Sequence, residues 1–121
     1  MTAHVHVIGM ESGLAEARKL MAEHGIRHLP VMDGRHVVGL LSERDLSRLE
    51  GFPMLSMSSV TVPDAMSTLP YVVEPDTPLV DVLRNLVEQR LGSAIVTDEN
   101  GKVVGIFTAT DAIKLLIEKV A

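Results

Sequence analysis

The sequence predicts an α+β fold made of two copies of a β-α-β-β-α unit. A seven-residue motif occurs twice, at residues 39–45 and 105–111, and reads Gly, two apolar residues, a hydroxyl residue, two variable residues and Asp. Upstream of each motif, Val31-Met32-Asp33 matches Val96-Thr97-Asp98, and the one-residue difference in spacing falls in the turn that follows. Self-similarity of this kind is the sequence signature of a repeated structural unit.

The composition predicts an aliphatic core. Hydrophobic residues make up 46% of the 121 residues, yet only one Tyr and two Phe are aromatic, so the core must come from Val, Leu, Ile, Ala and Met. This length corresponds to about one ordinary domain. Because a unit of about 50 residues is marginally stable alone, we expect the two copies to bury their sheets against each other in one unit with pseudo-two-fold symmetry.

The first copy shows the five predicted elements in its apolar spacing and turn residues. They are a strand near His4 to Ile8, a helix from about Gly13 to His24, hairpin strands at about Leu29 to Met32 and Val37 to Leu41, and a helix from Asp45. Gly51-Phe52-Pro53 ends that last helix, which is therefore short.

The second copy repeats this order. Its predicted elements are a strand at Tyr71 to Glu74, an amphipathic helix through Leu79, Val82, Leu83, Leu86 and Val87, hairpin strands at Ala94 to Thr97 and Val103 to Phe107, and a helix at Asp111 to Val120. Thr77 is expected to cap the first helix, with Pro78 at its first position. Glu99-Asn100-Gly101-Lys102 supplies the hairpin turn.

These elements divide the chain into a first copy at 1–52, a connector at 53–70 and a second copy at 71–121. The connector is rich in Ser, Pro and Met. Its methionines, Met54, Met57 and Met66, are expected to fill the core or to belong to a mobile linker rather than to line a groove.

Several classes of function are excluded by the composition. The net charge of −5 and the scarcity of aromatic side chains argue against a nucleic-acid partner. The absence of Cys excludes disulfides, thiolate nucleophiles and thiolate metal ligands. No apolar run reaches the roughly 18 residues that span a bilayer, so we expect a soluble cytoplasmic protein with no membrane partner.

The repeat resembles a known family. Two β-α-β-β-α copies that each end in Gly, two apolar residues, Ser or Thr, two residues and Asp are similar to a tandem pair of CBS domains. Leu29-Pro30-Val31-Met32-Asp33, Val62-Pro63-Asp64-Ala65-Met66 and the segment 73–79 fit that family as well. The first copy departs from the pattern at residues 8–13, which lack the usual Pro-Asp, so its strand-to-helix corner is expected to differ.

The resemblance implies a non-catalytic regulatory protein with no obligatory cofactor. Such pairs commonly bind AMP, ADP, ATP or S-adenosylmethionine in clefts between the copies, and they often associate into disc-like dimers. The implied partners are therefore an adenosyl ligand, most simply AMP, ADP or ATP, a second copy of the chain and a regulated protein. Two alternatives stay open, a ligand-free dimerisation module and an S-adenosylmethionine sensor.

Two readings of the repeated motif are compatible. In a capping box, the hydroxyl of Ser42 or Thr108 accepts an amide of the first helical turn, and Asp45 or Asp111 reaches back to the chain before it. In a nucleotide site, the helix N-terminus and the hydroxyl face a phosphate, while the carboxylate accepts the two ribose hydroxyls.

The two copies differ in charge around this motif. Arg27 and His28 precede the first hairpin strand and Arg44 lies within the motif, whereas the matching positions hold Gly92, Ser93 and Thr110. In related pairs a basic residue at the place of Arg27 and His28 often approaches the phosphates, so if only one cleft binds a charged nucleotide, the motif of the first copy is expected to hold it. The alternative, that Arg27 and Arg44 are solvated surface residues, stays open. The candidate ligand-binding residues are Arg27, His28, Gly39, Ser42, Arg44, Asp45, Ser93, Gly105, Thr108 and Asp111.

The histidines provide no compelling catalytic or metal site. His4 and His6 share a face if their segment is a strand, and His24, His28 or His36 could join them around a metal. No third ligand stands at a fixed spacing, so a polar strand edge is the favoured interpretation and no metal is predicted. An enzyme built on these histidines and the Asp residues is the least favoured of the functions considered.

Overall fold

The computed structural model of the chain describes residues 5–51 and 59–121. The described elements are β1 (Ile8–Gly9), α1 (Leu14–His24), β2 (His28–Asp33), β3 (His36–Ser42), α2 (Glu43–Glu50), α3 (Val62–Ala65), β4 (Val72–Val73), α4 (Leu79–Glu88), β5 (Ser93–Thr97), β6 (Val103–Thr108) and α5 (Ala109–Val120). The order β-α-β-β-α occurs twice, with α3 between the copies, and this confirms the predicted α+β fold.

The first compact unit comprises residues 6–70. Its sheet has the order β1-β2-β3, in which β1 is parallel to β2 and β2 is antiparallel to β3. The hairpin turns at Gly34, whose positive φ of 58° is accessible to glycine without steric cost. The side chains of β2 and β3 pack with those of α1 and α2 in a cluster that includes Leu14, Met21, Leu29, Leu41 and Leu46.

The second compact unit comprises residues 71–121 together with Val5. Its sheet repeats the arrangement in the order β4-β5-β6. The amides of Asn100 and Lys102 both donate to the Asp98 carboxylate at 2.9 Å, which closes the hairpin turn. The core is smaller and consists of Val82, Leu86, Ala94 and Phe107 with partly buried neighbours.

The first described strand is shorter than predicted. The predicted strand near His4 to Ile8 is wrong at residues 5–7, because β1 comprises only Ile8 and Gly9, which pair with β2. The amide of Ser12 donates to the carbonyl of Gly9 at 3.0 Å, so the chain turns directly after the strand. His4 lies outside the described residues.

The helix starts also differ from the sequence prediction. Thr77 does not cap α4, because its hydroxyl accepts the amide of Glu74 at 3.2 Å and is committed to the preceding turn. The carbonyl of Pro78 accepts the amides of Asp81 and Val82 instead, so Pro78 precedes the helix rather than beginning it. The helices expected from Asp45 and Asp111 each begin two residues earlier.

The described part of the predicted connector belongs to the first unit. Val62, in α3, is fully buried in the core of that unit. After α3, Ser67 and Leu40 exchange two backbone hydrogen bonds of 2.8 and 3.0 Å, which add this segment to the open edge of β3. Met66 packs against the same core, which confirms core filling for that methionine. Met54 and Met57 lie outside the described residues.

Within residues 5–51 and 59–121, no helix has the length and hydropathy needed to cross a membrane.

Candidate ligand site at the strand–helix junctions

The junction of the first copy is the point where β3 passes into α2. Ser42 has extended backbone and is the N-cap of α2. Its hydroxyl accepts the amide of Asp45 at 3.1 Å, and Asp45 Oδ2 accepts the amide of Ser42 at 2.9 Å. This reciprocal pair is a complete capping box, which explains why the helix begins at this position.

The junction of the second copy has the same geometry. Thr108 ends β6 and caps α5, and its hydroxyl accepts the amide of Asp111 at 3.2 Å. Asp111 Oδ2 accepts the amide of Thr108 at 2.9 Å. The capping function that the sequence offered as one reading of the motif is therefore present in both copies.

Each capping box leaves some polar groups unused. The Oδ1 atoms of Asp45 and Asp111 accept no hydrogen bond from the described residues. The first amide of each helix is occupied. The amide of Glu43 donates to the carbonyl of Arg27 at 2.8 Å, and the amide of Ala109 donates to the carbonyl of Gly92 at 3.0 Å. The second amides, those of Arg44 and Thr110, have no acceptor in the described part of the chain. Each junction thus offers one free amide, fewer than a bare helix N-terminus would.

A third capping box lies in α3 and lacks the surroundings of the other two. Thr61 accepts the amide of Asp64 at 3.3 Å, and Asp64 Oδ2 accepts the amide of Thr61 at 3.0 Å. These hydrogen bonds hold the pKa of the Asp64 carboxyl below its usual value. Because α3 has only four residues and no hairpin strand leads into it, this box is a natural control for capping without a candidate site.

Basic side chains surround the first junction. Among them, His28 lies directly opposite Ser42 in the hairpin. Burial lowers its pKa, while the Asp45 carboxylate acts in the opposite direction and Arg27 lowers it further. Arg27 Nε lies 3.6 Å from Glu43 Oε2 in an exposed ion pair, and Arg44 is exposed. The structure therefore places the predicted basic residues beside the first capping box.

The second junction carries no basic side chain at the matching positions. Ser93, directly opposite Thr108 in the hairpin, is buried with 3% of its surface exposed. Its hydroxyl has no hydrogen-bond partner among the described residues. Gly92 and Thr110 complete the set and are exposed.

The glycines that open the two motifs lie in the strands. A Cβ on Gly39 would lie 2.8 Å from the Ser67 carbonyl oxygen and would also collide with Met66, so the residue must be small to admit the segment after α3. Gly105 is buried opposite Val96 in β5. Sequence reasoning placed both in the ligand site and missed the packing function of Gly39, which only its contact with a distant segment reveals.

Beyond one stacked pair, the four described histidines lie at separate places. The rings of His6 and His24 stack with their centroids 3.7 Å apart, while His28 lies at the first junction and His36 begins β3. Within residues 5–51 and 59–121, no group of three His, Cys, Asp or Glu side chains is placed to hold a metal ion.

Comparison with known families matches both copies. The family model described as "CBS domain" matches residues 1–50 and 61–118. The fold matches a solved structure from Burkholderia ambifaria, described as a signal-transduction protein with CBS domains, with a TM-score of 0.86 and 28% identity over 98% of this chain and 87% of that one.

Two further relatives differ in how much of their length is matched. The chain is 33% identical over 107 residues to the inosine-5'-monophosphate dehydrogenase of Korarchaeum cryptofilum. The matched segment covers 88% of this chain and only 21% of that enzyme. It is also similar to CBSX2, whose structure was solved in complex with AMP, with a TM-score of 0.79 and 28% identity over 98% of this chain and 91% of that one.

Proposed function

This chain belongs to the CBS domain family, and from that premise we propose that it is a non-catalytic regulatory module that binds adenine nucleotides at its strand–helix junctions. AMP, ADP and ATP are the ligands of first choice. The residues assigned to the site are those predicted from the motif and its flanks: Arg27, His28, Gly39, Ser42, Arg44, Asp45, Ser93, Gly105, Thr108 and Asp111.

The chemistry of each junction suits a nucleoside. The free Oδ1 of Asp45 or Asp111 can accept hydrogen bonds from two neighbouring ribose hydroxyls. The hydroxyl of Ser42 or Thr108 accepts a hydrogen bond in the capping box and keeps its own hydrogen available for a phosphate oxygen. The free amide of the helix adds a second donor at the positive end of the helix dipole.

The observation that supports this proposal is the repetition of the unused groups. Both copies present one carboxylate oxygen, one amide and one hydroxyl hydrogen at the same place, beside a hairpin whose strands are apolar. The third capping box, at Thr61 and Asp64, uses its side chains in the same way, but its second helical residue is Pro63, which has no amide to offer. CBSX2, which was solved with AMP, has the same fold over nearly the whole chain.

A second candidate function is a ligand-free interaction module, and the surface of α5 favours it. Ile113, Leu116, Ile117 and Val120 are each more than half exposed on that helix. Apolar side chains in this number at a helix surface are typical of a face that pairs with another protein. We propose a homodimer through this face in either case, which sedimentation at micromolar concentration tests directly.

Titration calorimetry on the full chain separates the two functions. AMP should bind the parent protein, and UMP should bind at least tenfold more weakly. Asp45→Asn and Asp111→Asn together should weaken AMP binding by about 10- to 100-fold, the value of a hydrogen bond to a charged group.

The matched control is Asp64→Asn, which alters a capping box of the same geometry away from the junctions. It should leave AMP affinity within about a factor of two. If the parent protein binds no adenine nucleotide, or if the double variant binds AMP like the parent, the junctions are caps only and the ligand-free module is the better account.

A further inference from the structure

The Ser93 hydroxyl is a buried polar group that makes no hydrogen bond within the described part of the chain. The residue is 3% exposed, and its Oγ has no partner within residues 5–51 and 59–121. A hydroxyl can both donate and accept, and burying one unpaired is costly. Nearly all buried polar groups in native proteins have a partner, so this hydroxyl requires an explanation.

Strand pairing places this hydroxyl next to the second capping box. Ser93 stands directly opposite Thr108. The amide of Thr108 donates to Asp111, and the amide of Ala109 donates to Gly92, so the Ser93–Thr108 pair is not hydrogen-bonded to itself. Pairs of this type bring their side chains closest together and on one face of the sheet.

The same alternation directs Ser93 away from the core of its unit. Ala94 and Phe107 form the adjacent pair, and both belong to that core. Since successive side chains of a strand point to opposite faces, Ser93 lies on the other face with Ile95 and Ile106, which are buried as well. A hydroxyl gains nothing from packing against these apolar side chains, whereas a ligand at the junction would give it a hydrogen-bond partner.

The charges around the two junctions favour different ligands. The first junction carries Arg27, which pairs with Glu43 at 3.6 Å, together with Arg44 and the Asp45 carboxylate. At the second junction the positions that match Arg27, His28 and Arg44 hold the uncharged residues Gly92, Ser93 and Thr110, beside the Asp111 carboxylate. A carboxylate repels a phosphate dianion but not an uncharged group, and the second junction has no cation at these three positions to offset the repulsion.

We infer that the second junction takes an adenosine compound without a charged group at its 5′ position and that Ser93 donates or accepts a hydrogen bond with it. The first junction takes the phosphorylated ligand. This inference rests on the proposed function, because it names the ligand class of one of its two sites.

Adenosine and AMP are the matched probes, since they differ only in the phosphate. Calorimetry with the full chain carrying Asp45→Asn reports on the second junction, and Asp111→Asn reports on the first. The second junction should bind adenosine at least as tightly as AMP. The first should bind AMP at least tenfold more tightly than adenosine. Thr110→Arg, which gives the second junction the cation of the first, should raise its AMP affinity several-fold.

Ser93→Ala tests the role of the hydroxyl, because it should weaken ligand binding without lowering the stability of the ligand-free protein. It should weaken adenosine binding at the second junction roughly tenfold, the value of about one net hydrogen bond. Without ligand, the variant should be as stable as the parent or more so, because an unpaired hydroxyl has left the interior. The control Thr97→Val removes a hydroxyl from the far end of β5 and should keep adenosine affinity within about a factor of two.

The outcomes distinguish the inference from the proposed function. If neither probe binds the parent chain, the proposed function itself fails. If AMP binds but the second junction prefers AMP to adenosine, or if Ser93→Ala binds adenosine like the parent, only the inference is overturned. If Ser93→Ala is less stable than the parent without ligand, the serine stabilises the fold, and the inference is likewise overturned.

Discussion

Replacing Gly39 with alanine should loosen the segment after α3 from the edge of β3. An added Cβ would lie 2.8 Å from the Ser67 carbonyl oxygen and 2.9 Å from Met66 Cγ, and it would collide with Met66 Sδ. The methionine can move because its side chain is flexible. The Ser67 carbonyl is backbone, so it can retreat only if the Leu40–Ser67 pairing opens.

The cost follows from the hydrogen bonds that would be lost. Leu40 and Ser67 exchange two of them, at 3.0 and 2.8 Å, and each contributes about 0.5–1.5 kcal/mol net. Alanine in place of a strand glycine returns about 0.5–1 kcal/mol through the lower entropy of the unfolded chain. Crowding of the kind described for over-filled interiors adds about 1 kcal/mol or more. The expected loss is about 2 kcal/mol, or a fall in Tm of about 8 °C for a chain of this size.

Thermal and urea unfolding of Gly39→Ala against Gly51→Ala measure this effect. Gly51 ends α2 with negative φ, and among the described residues a Cβ there would meet the carbonyl oxygens of Arg48 at 3.4 Å and Ser47 at 3.7 Å. This control should therefore stay within about 0.5 kcal/mol of the parent. Adding Met66→Ala to Gly39→Ala should recover only part of the loss, because the Ser67 carbonyl remains in the way. Equal unfolding temperatures for Gly39→Ala and Gly51→Ala would refute the described packing of this segment.

Two further predictions concern the core and the first junction. Val62→Ala should cost about 2 kcal/mol in urea unfolding, since the side chain is fully buried in the first core, whereas Leu69→Ala, at a residue 87% exposed, should cost almost nothing. Burial lowers the pKa of His28, so the unfolded chain binds more protons below pH about 6.5. Stability should therefore fall as the pH drops through that value, and His28→Gln should lose this part of the dependence when unfolding is compared at pH about 7.5 and about 5.5. If the free energies of unfolding of the parent and His28→Gln differ by the same amount at both pH values, the prediction is wrong.

The sequence by itself was sufficient for the repeat, for the order of elements within each copy and for the two capping boxes. Hairpin strands and turns are local, because Gly34 and Gly101 at positive φ fix where the chain reverses. The boxes are local too, since hydroxyl and carboxylate stand three residues apart in the chain. Thr77 shows the limit of the same reasoning, because two neighbouring turns compete for one hydroxyl and only geometry selects between them.

Features that depend on contacts between distant residues were decided only by the tertiary structure. In the sequence Gly39 belongs to a ligand motif. In the structure it must be small because the carbonyl oxygen of Ser67, a residue that follows α3, lies against it. That the Ser93 hydroxyl has no partner among the described residues could not be foreseen, because the register of the neighbouring strand decides which groups lie near a strand serine. Local chemistry determines turns and caps over three or four residues, whereas burial and unsatisfied polar groups arise only when separate segments are brought together.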